Sequence, residues 1–220
     1  MEHISTQAII LNTFDYTDSQ IIVHAFTAEM GRLSFIVSKK KKNRTIQALL
    51  QPLFLVEIVF IYNSKRELQR LNTICLWKPY TDIPCNVGKT LICFFLAELL
   101  TKTAREQIKD RELFDFCVHS FELFDQTQAL WNGFHLSFMI HLAKYIGFYP
   151  TYGLFDNEWR NFTPIITELT KSFLNTPIQN YTQVKHTRIE RQQILTILIE
   201  YYQKNLPIGK INSNIILQQL

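Results

Sequence analysis

Glycine and proline are scarce in this 220-residue chain, at six and seven, which excludes collagen-like repeats and Gly/Pro-rich disordered architectures. Cysteine is sparse too. Cys75, Cys85, Cys93 and Cys117 form no C-x-x-C pair, so neither a closely spaced zinc ligand set nor a disulfide framework is spelled out, and reduced, buried thiols are expected. The most apolar run, Leu91–Leu100 (LICFFLAELL), has ten residues and contains Glu98, against roughly 20 for a membrane span. Residues 1–4 include an acid and lead into no apolar signal region. A soluble, cytoplasmic protein is the expectation.

Motifs for catalysis are equally thin. Gly88-Lys89-Thr90 resembles the end of a phosphate-binding loop, but that loop needs a glycine at position 83, which is Ile83, and Pro84 and Cys85 fill the space between. The triplet is better read as a helix N-terminus. His135 and His141 are six residues apart, which points them to different sides of a helix, and none of the other histidines (His3, His24, His119, His186) belongs to a ligand pair. No G-x-S-x-G elbow occurs. Close carboxylates such as Glu106 and Asp110 lie among basic residues and read as solvated helix faces. The expectation is no enzyme, no catalytic residue, no cofactor and no metal.

What the chain does have is a large apolar content, 47% hydrophobic and 13% aromatic with 17 Phe, enough for a core that needs no staples. Charge is unevenly spread. Ten of the 23 Lys/Arg and six of the 19 Asp/Glu lie in the first 80 residues, a surplus of four, and the remaining thirteen of each sign cancel. The N-terminal part is therefore the candidate for a polyanion partner.

That part also reads as strands. Residues 6–12, 20–27, 33–38, 53–62 and 67–77 are β-branched and aromatic runs of strand length. Turn signals separate them: Asp15-Tyr16-Thr17-Asp18, Glu29-Met30-Gly31 and Asn63-Ser64-Lys65, with Gly31 able to supply a positive φ. Five strands spaced too closely for crossover helices favour a small antiparallel barrel, most often an OB-fold, with residues 39–50 as its long connection. From about residue 84 the period becomes helical, with helices expected around 91–102, 113–124, 134–145, 164–175 and 188–205. Gly147 and Pro150 stop the third of these, Pro164 fits the first turn of the fourth, and Pro207 and Gly209 end the last. Residues 148–163 read as an aromatic-rich loop. The expected architecture is α+β in two domains, a five-stranded OB-fold barrel over 1–80 and an all-α domain over 81–220.

Lys39-Lys40-Lys41-Lys42-Asn43-Arg44 places five positive charges in six residues between two strands. Cations brought against phosphates release condensed counterions and give sequence-independent affinity; the alternative is a solvated edge that blocks strand pairing. Arg32 precedes the run, and Lys65, Arg66 and Arg70 flank another hairpin, so a DNA-binding role is assigned to all nine. Phe14, Tyr16, Phe35 and Tyr62 lie on or beside the strands, where core packing competes with base stacking.

With those residues in view, the chain resembles the RecO family of bacterial recombination mediators. The matching stretches are Ala8-Ile9-Ile10-Leu11, Tyr16-Thr17-Asp18-Ser19, Phe26 through Ser34 with its T-x-x-x-G-R-L hairpin, the basic loop, and Leu50-Gln51-Pro52-Leu53. They continue more weakly through Phe94–Leu100 and Gly147-Phe148-Tyr149-Pro150. The resemblance implies a non-enzymatic, nucleoid-associated protein that binds single- and double-stranded DNA and anneals complementary strands. It also implies that RecR is a partner in loading RecA onto DNA coated by single-strand-binding protein. That protein's acidic, apolar tail would need a pocket with a basic rim, for which Lys102, Arg105 and Lys144 are the candidates. Many family members carry a four-cysteine zinc module after the G-F-x-P stop; here residues 151–163 (TYGLFDNEWRNFT) contain no cysteine, so no zinc is expected and Tyr152, Phe155, Trp159 and Phe162 are read as a compensating apolar cluster. The competing reading is a helical protein-interaction scaffold whose basic barrel binds RNA or acidic protein.

Overall fold

The structure is a computed structural model that describes residues 2–39, 44–149 and 163–217. Five strands, β1 (Glu2–Thr17), β2 (Gln20–Thr27), β3 (Gly31–Ser38), β4 (Leu55–Tyr62) and β5 (Leu68–Lys78), close into a barrel in the order β1-β2-β3-β5-β4. Only β3 and β5 run parallel, over three residue pairs from Ser34↔Leu68 to Ile36↔Arg70. β1 is longer than its apolar centre indicates. Its first half pairs with β4 and its second half with β2, so the polar stretch read as a turn from Asp15 continues as strand to Thr17.

β3 alternates cleanly, with Leu33, Phe35 and Val37 buried and Arg32, Ser34, Ile36 and Ser38 on the outer face. This is the period of a half-buried strand. β1 is apolar on both faces around residue 10, because Ala8 and Ile10 enter the barrel core while Ile9 and Leu11 join the core of the helical region. A short helix, α1 (Arg44–Ala48), absent from the sequence reading, follows the basic run, and its Ile46 packs with Leu49 and Leu50 on the barrel core.

The helical region contains α2 (Val87–Thr103), α3 (Arg111–Gln126), α4 (Phe134–Tyr145), α5 (Pro164–Asn175), α6 (Arg188–Asn205) and the short α7 (Asn214–Leu217). Local chemistry sets these limits. Asn86 caps α2, Asp110 caps α3, Gly147 leaves α4 at φ 90°, and Thr187 with Glu190 forms a capping box on α6. One apolar cluster runs from these helices onto the barrel through Ile9, Leu11, Phe26 and Leu55, with Phe26 and Phe114 rings 5.7 Å apart.

The segment after α2 lies directly on β3. Arg32 N–H donates to the Arg105 carbonyl at 3.0 Å, and Gln107 N–H donates to the Arg32 carbonyl at 3.2 Å. Gly31 makes this approach possible: its φ is +65°, and a Cβ there would sit 2.3 Å from the Ile108 carbonyl oxygen. Glu106 and Asp110 are thus not on a solvated helix face. Glu106 pairs with Arg32 outside any helix, and Asp110 accepts from Leu113 N–H at 3.0 Å as the cap of α3.

Candidate nucleic-acid interface

The strand registers assemble one outer face across β1, β2, β3 and β5. Phe14, Ile22, Ile36 and Arg70 form one row across it, and Asn12, His24, Ser34 and Leu68 form the next. The Phe14 and His24 rings are 5.0 Å apart, and His24 Nδ1 lies 2.8 Å from Ser34 Oγ. Burial, then the Arg32 guanidinium, hold His24 below its ordinary value against a smaller opposing pull from Glu106, so the ring is neutral near pH 7. The face is amphipathic: aromatic and aliphatic in the middle, basic at the end where β3 leaves the barrel.

Of the four aromatics singled out in the sequence, two are at the surface. Phe14 and Tyr16 are 44% and 56% exposed, whereas Phe35 is buried against Phe60 at 5.0 Å and Tyr62 packs against the barrel core. The basic residues separate as well. Arg70 is exposed and opposite Ile36. A groove of about 650 Å³ opens beside it where β3 and β5 part, lined by Gln20, Ile36, Ser38, Ile46, Arg70 and Asn72. Lys39 follows β3 at the same rim, with its Nζ 2.7 Å from Asp15 and its N–H donating to the Ser19 carbonyl. Lys40, Lys41 and Lys42 lie outside the described residues, and Arg44 opens α1.

Lys65 and Arg66 are exposed on the β4–β5 turn. A buried residue with no signature in the sequence fixes that turn. Gln69 donates through Nε2 to the carbonyls of Asn63 and Arg66 at 3.0 and 2.6 Å and accepts from Asn63 N–H at 2.9 Å. Arg32 lies on the same outer face, but four residues before Ile36, about 13 Å along the strand, and its guanidinium is ion-paired to Glu106.

Of the three candidates for the rim, Arg105 and Lys144 are exposed. Lys102 is engaged, with Nζ donating to the Ile208 carbonyl at 3.1 Å beside Glu98 at 3.8 Å. Lys89 of the Gly88-Lys89-Thr90 triplet is fully buried. Its Nζ contacts Asp82 at 2.7 Å and donates to the carbonyls of Phe124 and Asp125 at 2.7 and 3.0 Å, which ties the start of α2 to the end of α3. Burial alone would raise Asp125, but N–H groups of Ile83, Thr81 and Asp82 donate to its carboxylate and hold it below the usual range. Among the described residues no group of three His, Cys, Asp or Glu side chains converges as a metal site would require, and no helix is long and apolar enough to cross a membrane. The proposed aromatic cluster of Tyr152, Phe155, Trp159 and Phe162 lies outside the described residues.

A closed OB-fold-like barrel with an amphipathic outer face, joined to a helical region, defines the class of protein. Family models agree with it: Recombination protein O N terminal matches residues 1–80, and Recombination protein O C terminal matches residues 86–152. The chain is 32% identical over 223 residues to DNA repair protein RecO of Bacteroides fragilis, covering 92% of each. It is 31% identical over 221 residues to DNA repair protein RecO of Flavobacterium psychrophilum, again 92% of each, and 29% identical over 220 residues to that of Azobacteroides pseudotrichonymphae, 91% of each. The chain belongs to the RecO family of DNA repair proteins.

Proposed function

We propose that the protein is a non-enzymatic mediator of DNA repair that binds single- and double-stranded DNA on the outer face of its barrel and anneals complementary strands. The observation that carries this reading is the face itself, where Phe14 and Tyr16 stand exposed next to Arg70 and Lys39. Stacking on aromatic rings beside a basic track is how single strands are held without reading their sequence. The sequence adds Lys40, Lys41, Lys42 and Arg44 immediately after Lys39, and the β4–β5 turn adds Lys65 and Arg66. Arg32, already paired to Glu106, acts first as a junction residue and only marginally as a phosphate contact.

With RecR, the protein would help load RecA onto DNA coated by single-strand-binding protein, in the cytoplasm at the nucleoid. Arg105 and Lys144 are the rim residues available to the acidic tail of single-strand-binding protein; Lys102 would have to leave Ile208 first. No zinc takes part, since the chain lacks cysteines where relatives of the zinc-bearing kind carry them, and elemental analysis after chelator dialysis should find less than stoichiometric metal.

The test is the salt dependence of single-stranded DNA binding. Replacing Lys39, Lys40, Lys41, Lys42 and Arg44 together by glutamine removes up to five phosphate contacts, each worth about −0.7 in the slope of log affinity against log salt. The slope should flatten by up to about 3.5 units, equally for all sequences. A folded variant with the wild-type slope and affinity would assign the run to a solvated edge. Tighter binding of RNA or of an acidic protein, with no annealing, would favour the scaffold reading.

A further inference from the structure

On the helical region a groove of about 460 Å³ opens between α3, the end of α4 and the 3₁₀ turn Ile178–Gln183, within the ~300–1,000 Å³ range of ligand pockets. Phe116, Leu123, Tyr145 and Ile178 give it an apolar lining, and the exposed carboxylates of Glu112 and Asp115 border it. The α3 residues recur at spacings of three and four, so they share one helix face.

The aromatic lining is anchored in the core. Phe121, Phe138, Phe116 and Tyr145 stack in a row, with centroids 5.2, 5.3 and 4.5 Å apart and interplanar angles of 24°, 23° and 25°. The row starts at the fully buried Phe121 and ends at Tyr145, which is 39% exposed. Among the described residues no further ring stacks on Tyr145, so the row presents a platform at the surface.

The charge beside that platform is negative. Asp115 is paired with Arg111 at 2.9 Å, whereas Glu112 has no ion-pair partner among the described residues. Glu112 is near enough to act on Tyr145: burial first, then Glu112 and Cys117, hold the Tyr145 hydroxyl above its ordinary value. Among the described residues no lysine or arginine lines the groove.

We infer that this groove docks a partner protein through a short segment that carries an arginine beside an aliphatic side chain. The guanidinium lies over Tyr145 and pairs with Glu112, and the aliphatic side chain packs on Leu123 and Ile178. Arginine rather than lysine follows from the platform, because a planar guanidinium stacks on a ring while offering its N–H groups to a carboxylate. A phosphate backbone would meet carboxylates here and be repelled. Nucleic acid is therefore not the ligand of this groove, and the inference is independent of the DNA-binding reading.

The test titrates the full chain with the blocked tripeptide Ac-Leu-Arg-Leu-amide and with its citrulline counterpart, which keeps the shape and loses the charge. Binding is read from NMR shifts of side-chain resonances. The expected result is saturable shifts confined to Tyr145, Leu123, Ile178 and their neighbours, with citrulline weakening binding about five- to tenfold. Glu112→Gln should bring the arginine peptide to the citrulline value, while Glu200→Gln, at an exposed carboxylate on α6, should leave the ratio unchanged. Equal affinity for the two peptides, shifts elsewhere, or no saturable binding would overturn the proposal. So would single-stranded DNA shifting the same resonances, or contacts between Tyr145 and Arg160 of this chain in the free protein. Shifts that grow with protein concentration alone would give the groove to a second copy instead. If Glu112→Gln does not fold, the peptide pair on the unaltered protein still decides.

Discussion

In the barrel, Lys65, Arg66 and Arg70 are exposed and have no ion-pair partner among the described residues, whereas in the helical region Lys89 is fully buried against Asp82 and two carbonyls. Lys102 is bound to Ile208 and Arg191 is buried. The seam between the regions uses cations in a third way. Arg32 pairs with Glu106, Lys78 with Glu122 at 2.8 Å, and Lys109 with Glu29 at 2.5 Å. The same residue types thus hold the fold together on one side and remain available to a polyanion on the other. Net charge alone distinguishes the regions only crudely; what sets Lys65, Arg66 and Arg70 apart from Lys89 and Lys102 is that none of the three already has an ion-pair acceptor among the described residues.

The comparison breaks most visibly at Lys89. Lys89→Met leaves Asp82 and two carbonyls unpaired and should cost about 3–5 kcal/mol in urea unfolding, with no change in the salt slope of DNA binding. Asp125 on the same network gives it a pH signature. Its folded value lies below the unfolded one, so its contribution is complete above the ordinary carboxylate value near 4 and is lost as pH falls through the lower, folded value. Asp125→Asn should therefore flatten the loss of stability below about pH 4. Gly31→Ala combines a positive φ with a collision on Ile108 and should cost about 2–4 kcal/mol, which denaturation with Gly147→Ala as the open-space control would measure.

Across the seam the effects should move from stability to affinity. Phe14→Ala and Tyr16→Ala should each weaken single-stranded DNA binding by about 1–3 kcal/mol if a base stacks there, while stability stays within about 0.5 kcal/mol. Unaltered titration curves for the double variant would remove stacking from the interface. The smallest effect is that of Arg70→Gln, a change of about 0.7 in salt slope for one phosphate on a single strand. Arg32→Gln should do the reverse, lowering stability at the seam more than it changes the slope.

Much of the fold was legible because its signals are short-range. β-branched and aromatic runs gave β2 and β4 within two residues, Pro164 marked the start of α5, and Gly147 the stop of α4. The second half of β1 was not legible, since Asn12–Thr17 is largely polar and is held as strand by its ladder to β2 rather than by apolar alternation. α1 is five residues long, too short to show a helical period. For the interface, the sequence supplied cations and aromatics but not their orientation. Phe14 and Phe35 look alike along the chain, and only barrel closure puts one outside and the other in the core. Gln69 carried no signal, and Lys89 marked only a helix start and not its burial, because a buried polar residue is recognised only by the partners that long-range packing brings to it.

The two-sided β1 also bears on how the chain is made. Barrel closure joins Glu2 to Tyr62 and Ile9 to Leu55, contacts whose loop-closure entropy must be met before any reward arrives. If the barrel folds in order of synthesis, as domains generally do, they form once β5 has left the ribosome and before the helices are made. At that moment Ile9, Leu11, Phe26 and Leu55, later covered by α2 and α3, form an oily strip on the nascent barrel. Translation of the next fifty or so residues sets how long that strip stays open to wrong partners, and a slow codon stretch between β5 and α3 would lengthen the exposure.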